Sequence, residues 1–134
     1  MQNTLNITQY SFVEQDRPVL GADIAGSADY PDIRGTVFVY TLPGGIYLQG
    51  EIEGLPPSRD HAFHIHDGEV CEKVGEKLLT LPDVMSGADG KASAKIQLDR
   101  VDSTQIAGKP IVLHIKEGGK EKQMIACGLL ERIL

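Results

Sequence analysis

The sequence predicts an all-β domain, a sandwich or flattened barrel of short antiparallel strands. Three observations lead there. Segments 46–53 and 92–98 alternate between apolar and polar residues, the period of a half-buried strand. The runs Thr36-Val-Phe-Val-Tyr40 and Ile111-Val-Leu-His-Ile115 are dominated by residues that favour extended backbone. The chain of 134 residues has 15 glycines, 7 prolines and no long helical pattern, which favours turns over helices. At that length it reads as one domain, 1–134, able to bury about two-thirds of its unfolded surface.

In chain order, Leu5 to Val13 reads as an extra edge strand or a loose arm within residues 1–14, and Gly21 to Ala25 as a weak strand. Gly35 opens the strand Thr36–Tyr40, and Leu42-Pro-Gly-Gly45 turns it into the next. There Ile46, Leu48 and Ile52 share one parity, while Tyr47, Gln49, Glu51 and Glu53 share the other, so the two strands pair as a hairpin. Gly54-Leu-Pro-Pro57 leads into a strand over His61–His66. After the turn Ala88-Asp-Gly90, Ala92, Ala94, Ile96 and Leu98 point inward, with Ser93, Lys95 and Gln97 outward. Ile111–Ile115 and Ala126–Leu130 complete the set, without repeats, low-complexity stretches or linkers.

Composition narrows the function. A net charge of −6 argues against a nucleic-acid partner, which would require a basic face. No apolar run approaches the roughly 20 residues that cross a bilayer. Met1-Gln-Asn-Thr-Leu5 has neither a basic nor an apolar leader region, so a cytoplasmic location is the default unless a leader has been removed. Asn6-Ile-Thr8 is a glycosylation triplet, relevant only to a secreted eukaryotic chain. Cys71 and Cys127 are too few for a disulfide scaffold; they read as two thiols, two metal ligands or one long bridge, and composition favours buried thiols.

The histidines carry the chemistry. In His61-Ala-Phe-His-Ile-His66, strand parity puts His64 and His66 on one face, and Phe63 and Ile65 on the other. His114 is likewise separated from Ile111, Leu113 and Ile115. Three imidazoles turned from a core can converge on one ion, since neutral imidazole suits copper, zinc, iron and nickel.

Four segments stand in order along the chain: His-Ala-Phe-His-Ile-His, Leu-Pro-Asp-Val-Met-Ser-Gly-Ala-Asp-Gly-Lys-Ala, Gly-Lys-Pro-Ile-Val-Leu-His and Ile-Ala-Cys-Gly-Leu-Leu. Together, from about Val19 to Leu130, they resemble the copper/zinc superoxide dismutase family. The resemblance implies an eight-stranded Greek-key β-barrel, an immunoglobulin-like sandwich with its metal site on the outer wall. It implies a disulfide between Cys71 and Cys127, copper ligands at His64, His66 and His114, and a structural role for His61.

The departures from the family pattern shape the expected function. Between Cys71 and Leu81 there is no histidine, so the family's bridging and zinc-site histidines are missing, and Thr80 stands where a zinc-site aspartate is expected. Met124 stands in place of the guiding arginine, and the segment from His114 to Cys127 is short. The expectation is one copper per chain in an unroofed site, no zinc, and weak dismutation of superoxide. Lys116, Lys120 and Lys122 could steer that anion, or simply form a solvated loop tip with Glu117 and Glu121. Met124 could add a soft ligand, and a homodimer is compatible with the pattern. Two other classes use the same residues: a non-catalytic copper store, carrier or binding module, and a three-histidine zinc centre for hydrolytic or lyase chemistry.

Overall fold

In a computed structural model, residues 17–133 are described, so the arm expected over Leu5 to Val13 and the triplet at Asn6 lie outside them. The strands are β1 (Leu20–Gly26), β2 (Arg34–Leu42), β3 (Gly45–Glu53), β4 (Asp60–His66), β5 (Lys77–Met85), β6 (Ala92–Asp99), β7 (Pro110–Glu117), β8 (Lys120–Leu129) and β9 (Glu131–Arg132). One short helix, α1 (Ser103–Ile106), precedes β7. Asp102 caps it in a reciprocal box with Gln105, and Ile106 anchors it in the core.

Eight strands form one antiparallel sheet in the order β5-β4-β7-β8-β1-β2-β3-β6, and β9 pairs with β1. The sheet curls until its edge strands β5 and β6 pack together, giving a nearly closed barrel. β7 returns beside β4 after the β5–β6 excursion, a Greek-key connection that sets two histidine-bearing strands side by side.

The alternation read from sequence predicts the interior. Across β3 and β6, Leu48 faces Ile96, Ile52 faces Ala92, Gly50 faces Ala94, and Ile46 faces Leu98. Ile46, Leu48, Ile52, Ala92, Ala94 and Ile96 are buried, and Leu98 is half-buried against the core. Val37, Val39, Phe63, Ile65, Ile111, Leu113 and Ile125 fill the rest of the core.

Besides the two-residue β9, three features were not foreseen. β5 escapes pattern recognition because Pro82 interrupts Leu78-Leu-Thr-Leu81, yet proline is tolerated on an edge strand that leaves that N–H position unpaired. The first half of β8 is exposed and charged, so it carries no apolar period. It is held by the Gly118-Gly119 turn, where both residues have positive φ (59° and 78°), as a tight hairpin turn requires. α1 is too short for a helical period to show.

Candidate metal centre

The histidine site is built on the outer face of β4, β7 and β8. Antiparallel partners share a face, so Thr80, His64, Val112 and Cys127 form one row across β5, β4, β7 and β8. Ala62, His114 and Met124 form the next row. His66 lies one pleat beyond His64 on the same face.

The three rings meet. Centroids lie 5.3 Å apart for His64 and His114, 5.8 Å for His64 and His66, and 6.2 Å for His66 and His114. One ring nitrogen of each lies within 4.8 Å of those of the other two. Among the described residues, this is the one grouping of three or more histidine, cysteine or acidic side chains close enough to hold an ion.

Each ring is tied back through its other nitrogen. His66 Nδ1 donates to the Gly75 carbonyl at 2.9 Å, and His114 Nδ1 donates to the Lys122 carbonyl at 2.9 Å. His64 Nε2 donates to Glu121 Oε2 at 3.0 Å, and Lys77 Nζ holds Glu121 Oε1 at 3.5 Å. Acceptor-only partners fix the tautomers, leaving lone pairs on His64 Nδ1, His66 Nε2 and His114 Nε2. Two of these, His64 Nδ1 and His66 Nε2, are buried with no hydrogen-bond partner.

The expectation of an unroofed site is corrected. His64 is 1 % exposed and His66 8 %, while His114 is half-buried. Parity turns them from the barrel core, but residues 67–76 fold back over that face. Asp67 N–H donates to the Glu76 carbonyl, Gly68 N–H to that of Val74, and Asp67 Oδ1 accepts from Glu76 N–H. Gly75 has φ +81°, and a Cβ there would come within 2.5 Å of Asp67 Oδ1 and 2.9 Å of Gly68 N. Only glycine fits this corner, and its carbonyl orients His66.

A disulfide clamps the same loop to the barrel. Cys71 is bonded to Cys127 of β8, with Cα atoms 5.9 Å apart, which replaces the buried-thiol default drawn from composition. Composition could not show that the chain reversal brings Cys71 over the row that ends in Cys127.

Burial lowers the His64 pKa below its ordinary value, against the opposing pull of Glu121. A neutral imidazole is the form that ligates metal. His61 sits apart, in the interior, where its Nε2 lies 3.2 Å from both the Pro56 carbonyl and Ser86 Oγ. Burial lowers its pKa as well.

Thr80 is exposed across from His64. Lys116 is not a free steering charge, because its Nζ binds Asp83 Oδ2 at 2.7 Å. Lys120 pairs in register with Glu117 at the hairpin tip, and Lys122 contributes its backbone carbonyl to His114. Glu121 escaped the reading of site residues from sequence, where it was only part of an alternating charge run. No motif marks it, since its contact with His64 depends on how β8 crosses β7.

No known family model matches the chain, and no curated protein matches its sequence.

Proposed function

We propose that this chain is a copper-binding protein of the superoxide dismutase type, with one three-histidine site, no zinc site and weak dismutase activity. The observation that carries the reading is the set of back-bonded imidazoles, each left with one lone pair at the cluster. Leaving a buried polar nitrogen unpaired costs about 1–3 kcal/mol, and an ion bound by His64 and His66 would remove that cost.

Bound copper would supply one-electron chemistry through its two common oxidation states. Gly75, Glu121 and Lys122 orient the rings, as outer partners of metal-bound histidines do. Imidazole donors accept zinc too, so the choice of copper rests on the four ordered motifs. Superoxide is the small anion expected to react. Neither a nucleic acid nor a membrane is proposed as partner, given the net charge of −6 and the lack of a long apolar helix among the described residues. Weak activity is proposed because Lys116 is engaged by Asp83, Met124 replaces the family's arginine, and the charge repels an anion at long range.

Burial of His64 and His66 favours one second reading, a copper store or carrier whose ion is shielded from substrates. Titration of metal-free protein with copper(I), copper(II) and zinc, beside a His64→Ala/His66→Ala variant, tests the site. One equivalent of copper bound by the parent and not by a folded variant is expected; equal binding would refute it. Stopped-flow decay of superoxide separates the two readings, since a carrier would not exceed the metal-free protein.

A further inference from the structure

We propose that Met124 supplies a thioether ligand beside His64, His66 and His114, and that this fourth donor biases the site toward copper(I). The proposal rests on the copper reading above and adds an oxidation-state preference to it.

The path of β8 carries the inference. In a regular strand, residues three apart face opposite sides. Here the register passes from Lys116↔Glu121 to His114↔Met124 to Leu113↔Ala126, so β8 advances farther than β7 at both steps. These two bulges bring Glu121, Met124 and Cys127 to the histidine face, although they lie three residues apart in sequence. Their placement is visible independently. Glu121 touches His64, Cys127 holds the loop disulfide, and the intervening Ile125 is fully buried in the core.

Met124 is directly opposite His114, where facing Cβ atoms are typically about 4.5–5.5 Å apart. It is half-buried, and the row continues on the far side of His114 to the small Ala62. A long, unbranched side chain at that position can reach the lone pairs on the cluster. Glu121 does not compete for the place, because it is held at the opposite nitrogen of the His64 ring.

Chemistry sets the preference. Imidazoles serve both oxidation states of copper, whereas a soft thioether selects copper(I). Burial acts in the same direction: a neutral ligand set around a monocation costs less desolvation than around a dication. Glu121 opposes this through its negative charge, but from a rim that is 39 % exposed and already shared with Lys77.

Protein grown with selenomethionine and loaded anaerobically with copper(I) provides the test. Selenium separates Met124 from the disulfide sulfurs in copper-edge X-ray absorption. A copper–selenium contribution is expected in the parent and not in Met124→Leu, a substitution that preserves volume and apolar character. Copper(I) affinity, measured against a cuprous chelator, should fall about tenfold or more in the variant, with copper(II) affinity little changed. A selenium-free spectrum of the parent overturns the proposal without recourse to any variant. So does an unchanged ratio of copper(I) to copper(II) affinity in folded Met124→Leu, which would make Met124 a filler of an apolar gap. Failure of the parent to bind copper at all would instead sink the underlying histidine-site reading, and the thioether ligand with it.

Discussion

At single-residue scale, Glu121 governs how His64 is presented and His61 governs how the fold responds to pH. Glu121 binds the only N–H of His64 and thereby presents Nδ1. Replacing it with leucine should lower copper affinity by about 10- to 100-fold, the usual effect of losing an outer partner of a metal-bound histidine. Glu121→Gln should recover part of that loss, because its amide oxygen still accepts the hydrogen bond. Competition with a chelator measures both, and equal affinity in all three proteins would refute the positioning role. His61 makes a prediction about stability. Burial holds its pKa below the ordinary 6.5, with Arg59 adding to the effect and Asp60, Asp83 and the Pro56 carbonyl opposing it. Below that ordinary value the unfolded chain takes up a proton that the folded chain resists. Stability from His61 is therefore whole above pH 6.5 and declines as pH falls toward the folded value, by at most about 1.4 kcal/mol per pH unit. Metal-free His61→Gln should lose less melting temperature between pH 7.5 and 5.5 than the parent, and parallel curves would contradict this.

Elements decide what covers the three-histidine cluster. Residues 67–76 are held by their own turn, by the Gly75 carbonyl on His66 and by the Cys71–Cys127 bond, which spans a separation of 56 residues. Loss of that cross-link in a Cys71→Ser/Cys127→Ser protein should cost about 4 kcal/mol by loop entropy, readable in denaturant unfolding. Gly75→Ala should destabilise by about 1–3 kcal/mol, because the residue lies at positive φ against Asp67 and Gly68. It should also weaken copper binding, and a variant as stable as the parent would show that the corner can relax. Parity along β4 and β7 was legible in the sequence, and with it the shared face of His64, His66 and His114. The cover over that face was not, because it depends on contacts between segments far apart in the chain. Glu121 reaches His64 only through the irregular pairing of β7 with β8, and no local pattern encodes such bulges. β5 was hidden for a related reason: Pro82 breaks the apolar run that otherwise marks a strand.

For the whole molecule, the net charge of −6 bears on how fast a small anion arrives. Lys116 is paired with Asp83, so the net negative charge is expected to dominate the approach of an anion. Any superoxide reaction should therefore accelerate as salt rises, since screening weakens the repulsion. A rate that falls with ionic strength would point instead to a positive funnel at the site. The barrel is also incomplete, because its ladder ends at β5 on one side and β6 on the other. β5 exposes Leu78 and Met85, and its apolar stretch around Leu78–Leu81 is separated from Val84 and Met85 by Pro82 and Asp83. Those two residues stand opposite Ala62 where the β4–β5 register slips, so neither continues the ladder. Their position makes them gatekeepers against self-association: a proline has no N–H with which to template an incoming strand, and a buried fibril spine would have to accommodate the carboxylate. Pro82→Val would restore a donor inside a stretch of high β-propensity. Its fibrillation lag under agitation at neutral pH should shorten relative to the parent, whereas an unchanged lag would mean that the carboxylate of Asp83 is barrier enough.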